Sequence, residues 1–490
     1  MKKAKLVVIG DSLSQGFMSG AVYRTDISFP ALIAKCLEEG NSFSYPTFNE
    51  QYGLPCNLEI LLRNLTDKYG SKINLTEMIP LVKTTLDFLK KTVDFWDNEG
   101  RYMPRCRNFP YSNQAIWGFK VEDADTVTGE MAANFLKQHP PGDNSFFNIS
   151  QIPFYITVKK VLNPFLTAQE AKLTQIDNIR IISQQRGIEN LIFWLGANNA
   201  LGAVAGLKIE LSTAETLDNF PHETKANLYY PEHFEVIYRR VANKLQEVQA
   251  ERIFVGTIPH VTIPPVTRGV SFNKEDPCPE GYFEYYTRPW IWDSEFRPNK
   301  HPHLTRAQAK MIDQYIDQYN QIIKQVAAEK GWYVVDICKL LDNIAYRRCR
   351  GQVKADLPKG LGEALARNPL TTHLVDERGK IKLDTRYLSI DATSFPKVVK
   401  GGLFSLDGIH PTTIGYGLIA DAFLTVMIQA GVKIHRDLDW DFIVASDTLV
   451  TNPPAIMSGL REMFIFLRNV KILNFNLLEI LIEKIRGNGG

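Results

Sequence analysis

The sequence predicts an α/β fold: a parallel sheet with helices packed on it. Two observations carry this. Several apolar runs of strand length are rich in Val and Ile, and a segment of helical periodicity stands before each later run. The first run is "KLVVIGDS", in which the apolar stretch 5–9 passes into Gly10, Asp11 and Ser12. A short apolar segment, "NQAIWGFKV", follows much later. A helix starting at Thr167, whose spacing to Glu170 makes a capping box, leads into "NLIFWLGANNAL", with its strand at 191–195. A helix at 234–249 leads into "ERIFVGTIPHV". The clearest helix comes next: Thr305 caps it, and Ile312, Tyr315, Ile316, Tyr319, Ile322, Ile323 and Val326 line one face. Gly331 ends it, and "GWYVVDIC" follows as a strand.

Between these elements lie long stretches without clean periodicity, near 40–108, 264–303 and 340–401. Structureless loops of that length are uncommon in compact domains, so these read as ordered insertions over one edge or mouth of the sheet. No repeat or low-complexity segment marks a boundary, so one elaborated domain over 1–435 is expected. A helical extension, 436–490, should dock on it, with a membrane surface or a partner as the alternative uses of its apolar face. Its last piece puts Leu478, Leu481, Ile482 and Ile485 on one side of a helix.

Composition narrows the function classes. With 490 residues, 44% of them hydrophobic, the chain can bury a large core. Its 56 basic and 54 acidic side chains leave a formal charge of +2, too small and too dispersed to attract nucleic acid. Cys36, Cys56, Cys106, Cys278, Cys338 and Cys349 stand at wide, irregular spacings without a Cys-x-x-Cys pair. That argues for reduced thiols and against a disulfide framework or a zinc site, and no cofactor is expected. No window approaches 18 uninterrupted apolar residues, which predicts no membrane span. A strand so near Met1 leaves no room for a cleavable signal peptide, so the expected location is cytoplasmic.

In open α/β sheets function gathers at the carboxyl ends of the strands. There the first strand delivers Ser12, "NQAIWGFKV" delivers Gly118, and the strand before "GANN" delivers Asn198, an amide donor. Near the end of the chain, "GLFSLDGIHPTTIGYGL" places Asp407 and His410 three residues apart at the entry to a helix. A carboxylate against one imidazole nitrogen would leave the other free to face a serine, the arrangement of nucleophile, base and orienting acid. Taken singly, Gly-Asp-Ser is an ordinary turn and Asp-x-x-His an ordinary helix entry. Four such signals in one chain order weigh more.

That order, with "GDSLSQG" at the front and "DGIHPTTIGY" at the back, resembles the blocks of the GDSL, or SGNH, hydrolase family. "VGTIPHVTIPPV" is similar to the strand-to-loop segment such enzymes carry between the third and last blocks. The resemblance covers some 50 residues. It implies a flavodoxin-like three-layer α/β/α sandwich on a five-stranded parallel sheet, and a serine esterase or lipase acting on a small-molecule ester or lipid. Ser12 would be the nucleophile, His410 the base and Asp407 its partner. The N–H groups of Ser12 and Gly118 and the Asn198 amide would form the oxyanion hole. An acyltransferase using the same acyl-enzyme, and a non-catalytic binding protein on this fold, are the alternatives. Two departures stand out. Asn199 occupies a place where the family often has Asp, so Asn199→Asp should be tolerated. His260 stands where Asp is common; it ranks below His410 as base because no acid lies near it in sequence. His301 and His303 read as loop residues, not as a metal pair.

Overall fold

The computed structural model describes residues 2–37, 42–101, 110–142, 151–163, 167–218, 226–346, 348, 356–391 and 395–459. Its centre is a four-stranded parallel sheet. In chain order the elements that build it are β1 (Val7–Gly10), α1 (Phe29–Leu37), α2 (Gln175–Arg186), β2 (Ile188–Trp194), α3 (Pro231–Gln246), β3 (Ala250–Gly256), α4 (Arg306–Lys330), β4 (Tyr333–Val335), α5 (Ile337–Ile344) and α6 (Thr413–Gln429). The strands lie side by side in the order β1-β2-β3-β4, in registers such as Val7 beside Leu191, Ile192 beside Phe254 and Val255 beside Val334.

Alternation along each strand splits the core in two. Val8, Ile192, Trp194 and Phe254 face a cluster that includes α1 and α6. Val7, Ile9, Leu191, Phe193 and Val255 face one built by α2, α3 and α4. Burial on both faces explains why these strands are apolar without a break. Right-handed crossovers put α3 and α4, which link successive neighbours in the sheet, on the same side.

Thr305 caps α4, and does so through a capping box: its hydroxyl accepts from the N–H of Gln308, and the Gln308 side chain returns to the N–H of Thr305. Gly331, at φ +68°, ends α4. The box expected at Thr167 heads only a short turn, Glu170–Lys172. The helix before β2 starts after Thr174, whose own box is closed by Asp177. A Thr with an acidic residue three places on occurs twice within ten residues, and only the second is followed by the buried stripe Ile176, Ile179, Ile182. The helix expected at 234–249 lies three residues earlier, because Pro231 fits its first turn.

A fifth strand does not form as a regular ladder. Residues 112–116 instead run along the free edge of β1: Val8 N–H donates to Ser112 O, and Gln114 and Ile116 donate to Val8 O and Gly10 O. Only Val8 and Asn113 make a formal parallel bridge. Asn113 interrupts the pattern, since its side chain accepts from Ala115 N–H and donates to Ser14 O.

All three segments read as lacking periodicity hold regular structure. Within 40–108 stand the helices Leu58–Tyr69 and Met78–Asp97. In the longer one Thr85 and Thr92 sit in the buried stripe with Leu81, Phe88, Leu89 and Trp96. Each hydroxyl donates to the carbonyl four residues back, which makes it fit to be buried while breaking the apolar pattern. Within 264–303 are Arg268–Val270 and Tyr285–Thr287, strands of a three-stranded antiparallel sheet completed by His303–Thr305. Within 340–401 are the helix Lys359–Arg367 and the hairpin of Ser389–Asp391 with Lys397–Lys400.

The described part of the C-terminal extension packs on the same core. Trp440, Ile443, Val444 and Leu449 join the cluster of α6, and the Asp447 carboxylate accepts from Ile414 N–H at the start of α6. Leu478, Leu481, Ile482 and Ile485 lie outside the described residues. No helix among the described residues is long and apolar enough to cross a membrane.

Candidate active site

β1 ends at Gly10, and Asp11 turns the chain into a single helical turn, Ser12–Gln15, by accepting from Leu13 N–H. Ser12 thereby starts a helix at the carboxyl edge of the sheet. β2 ends beside it, and Asn198 follows after a turn at Gly196. This is the place where the chain departs from β1 to both sides, toward β2 and toward 112–116, the usual position of a binding crevice in an open α/β sheet.

The loop 405–410 closes on itself through Ser405 N–H donating to His410 O and Gly408 N–H donating to Ser405 O. Gly408, at φ +68°, lies against the backbone of Val266, 3.0 Å from where a Cβ would stand, so only glycine fits this turn. The turn aims Asp407 at His410: Oδ2 lies 3.1 Å from Nδ1 of the ring. Oδ1 accepts from the N–H groups of Ile409 and His410, and Oδ2 also accepts from Gly20 N–H at 2.9 Å. Burial opposes ionisation of Asp407, but the His410 ring and these N–H donors outweigh it and hold the carboxyl below its usual range. The His410 ring packs at a tilt against Phe17, centroids 4.5 Å apart, and its Nε2 has no protein partner among the described residues.

Ser12, Asn198 and His410 line one cleft of about 840 Å3, open solvent at its mouth included. Asp407 stands behind His410, away from the cleft. The rest of the wall is mostly apolar, with Trp194, Leu201, Leu340, Ile344, Phe404 and Leu418 prominent. Among the described residues Ser12 makes no hydrogen bond to His410; the two share a wall of the cleft.

Gly118 is outside the cleft lining, on an exposed turn at φ +83°. It is tied to the site by its neighbours: Trp117 N–H donates to the Gln15 side chain, and Phe119 O accepts from Asn198 Nδ2 at 2.9 Å. The second contact of Asn198 Nδ2, with Asp11 Oδ2, is a long 3.4 Å. The N–H groups of Ser12 and Gly118 meet no protein acceptor among the described residues.

The sequence reading missed Glu122. Asn199, fully buried, donates to Glu122 Oε2 and accepts from Val121 N–H, and Tyr229 donates to the other Glu122 oxygen. A carboxylate thus meets this turn from the neighbouring 119–123 segment, and the amide of Asn199 faces it. Nothing in the spacing of "GANN" signals this, because the partner is 77 residues away.

His260 does have acids beside it, from two other elements: Asp342 on α5 is 2.9 Å from Nδ1 and Asp317 on α4 is 3.1 Å from Nε2. Both ring nitrogens are thus engaged, and His260 is absent from the cleft wall. Cys338 Sγ lies 3.7 Å from Nδ1, so the fold assembles His260, Cys338 and Asp342 where spacing along the chain predicts no metal ligands. Cys36 and Cys56 are also free and buried, with burial pushing their thiols up to about 11 and about 12; Cys278 is buried as well, and Cys106 and Cys349 lie outside the described residues. His301 and His303 serve their loop: His301 Nδ1 accepts from Arg297 N–H, and His303 Nδ1 lies 2.9 Å from His301 O.

No protein-family model matches this chain, and no curated protein matches it at a significant level.

The Asn199 environment reverses the expectation for its substitution. Asn199→Asp sets a carboxylate against that of Glu122 in a buried site, so it should destabilise the protein more than Asn199→Ala, by chemical denaturation at neutral pH. Equal or greater stability of Asn199→Asp would contradict the assigned contact.

Asp11 supplies a pH dependence. Burial pushes its carboxyl up to about 7, against the Leu13 N–H and the charge of His410, which favour the anion. The folded state thus holds this proton more tightly than the unfolded chain. The stability it confers is fully present below the unfolded value near 3.8 and is lost as pH rises through about 7. Asp11→Asn keeps the acceptor for Leu13 but cannot ionise. Its stability relative to the parent protein should therefore climb between about pH 4 and 7 and level off above that. A flat difference across this range would rule the argument out.

Proposed function

We propose that the chain is a serine hydrolase of the GDSL, or SGNH, type that cleaves carboxylic esters through an acyl-enzyme on Ser12. One observation carries the reading. Ser12, His410 and Asn198, from segments at opposite ends and the middle of the chain, converge on one apolar cleft, with Asp407 held against the far side of the imidazole. The order of 112–116, β1, β2, β3 and β4 agrees with the 2-1-3-4-5 order of flavodoxin-like sheets and supports the same family.

In this reading Ser12 Oγ attacks the ester carbonyl while His410 Nε2 takes the hydroxyl proton. Asp407 holds the ring by Nδ1 and stabilises the imidazolium. The carbonyl oxygen, now negative, is met by the N–H groups of Ser12 and Gly118 and by Asn198 Nδ2. As the tetrahedral intermediate collapses, the C–O bond to the leaving alcohol breaks and His410 returns the proton to that oxygen. Water then attacks the acyl-enzyme with the same base and frees the acid and Ser12. The apolar wall suits an aliphatic or aromatic acyl group, because it offers few polar groups to a charged or sugar-like one.

A fluorophosphonate probe should label the protein, and Ser12→Ala should abolish both labelling and ester hydrolysis while the protein stays folded. Asn198→Ala should lower kcat by roughly 10²- to 10³-fold with a smaller change in KM, since the oxyanion forms only as the reaction proceeds. Labelling that persists in Ser12→Ala would overturn the proposal.

A further inference from the structure

We propose that His260, Cys338 and Asp342 form a binding site for a divalent transition metal of the zinc class, set on the back of the cleft wall. Nδ1 of His260, Sγ of Cys338 and a carboxylate oxygen of Asp342 all lie within 4.8 Å of one another. The separations given above, 2.9 Å for nitrogen to oxygen and 3.7 Å for sulfur to nitrogen, bracket a metal site. Tetrahedral bonds of ordinary zinc length set these edges at about 3.3 and about 3.6 Å. For these two edges a shift of a few tenths of an ångström reaches zinc geometry, and the third, sulfur to carboxylate, lies within 4.8 Å.

The donor types select the metal. Thiolate, imidazole and carboxylate together suit zinc, and are too soft for calcium or magnesium, which take oxygen ligands. The surroundings are those of a ligating histidine: the nitrogen turned away from the cluster, Nε2, contacts the Asp317 carboxylate, which fixes the ring orientation and makes Nδ1 a stronger donor. The Cys338 backbone is also pinned, its N–H donating to Thr257 Oγ1 at the end of β3. His260 and Cys338 are buried, while Asp342 is partly exposed, so the set opens toward solvent on the Asp342 side. The site stands on its own chemistry and does not rest on the esterase reading.

Its placement gives it a task. Cys338 and Asp342, four residues apart, share one face of α5, whereas Ile337, Leu340, Leu341 and Ile344 line the cleft. In the 259–261 loop Pro259 and Val261 line the cleft, and His260 between them does not. A metal here would clamp α5 to the loop after β3 and stiffen that wall.

The test uses the full chain, stripped with a chelator and titrated with Co2+, which reports thiolate ligation by a near-ultraviolet charge-transfer band. One equivalent should produce that band, and added Zn2+ should bleach it. Cys338→Ser should remove the band, and Asp342→Asn, a partly exposed change, should weaken binding at least tenfold with the fold intact. Cys278→Ser should leave the band in place. Asp317→Asn should weaken binding about 10- to 100-fold without moving the band, as expected of a positioning residue. Hydrogen exchange of the α5 amides should slow when Zn2+ is added. Absence of the band, or a band that survives Cys338→Ser in folded protein, would overturn the proposal.

Discussion

The site depends on one shared oxygen. Asp407 Oδ2 accepts from Gly20 N–H and lies against His410 Nδ1, so it joins the turn after β1 to the loop before α6, 387 residues apart. Two neighbours reinforce the junction. Ser19 N–H donates to Ser405 Oγ, and the buried Tyr416 hydroxyl donates to Phe17 O. Because the groups are buried, losing any one leaves a partner unsatisfied, which costs about 1 to 3 kcal/mol and more for a charge. The imidazole therefore has its position relative to Ser12 set by the backbone, and not only by its own rotamer.

The same logic of obligatory partners runs through the neighbouring turn. Asn199 and Glu122 hold each other and bring Tyr229 with them, so Asn198 is presented by a rigid base. Its amide is anchored on Phe119 O. Asp11 is the exception, a carboxyl buried beside the cleft with a single short backbone donor and no cationic partner in contact, which is why burial dominates its ionisation.

Much of this was legible in the sequence. The apolar strand runs, the cap at Thr305 and glycine at the end of α4 are local signals, and local signals survive folding. Asp407 and His410 were legible for the same reason, since the turn that joins them lies wholly within 405–410. What escaped was set by distance or disguise. Glu122 meets Asn199, and Asp317 meets His260, only through the tertiary fold. The helix Met78–Asp97 was hidden because threonines took core positions by bonding their own backbone. Cys338 and Asp342 did carry a signal, an i, i+4 pair on one helical face, but their third member comes from another segment, and a search confined to cysteine spacing passes over it.

The junction between the Ser12 turn and the His410 loop also bears on how the molecule comes into being. Contacts that span nearly four hundred residues cannot form until the later partner has been made, and closing so long a loop costs entropy that must be met before the contact repays it. The sheet from β1 to β4 and its α2, α3 and α4 layer can condense first, leaving the face that α1 and α6 share to be completed when 403–429 arrives. Until then the Ser12 turn stands at the edge of an open apolar trough without its imidazole. The pairing of the Ser12 turn with the His410 loop is thus a late event of assembly.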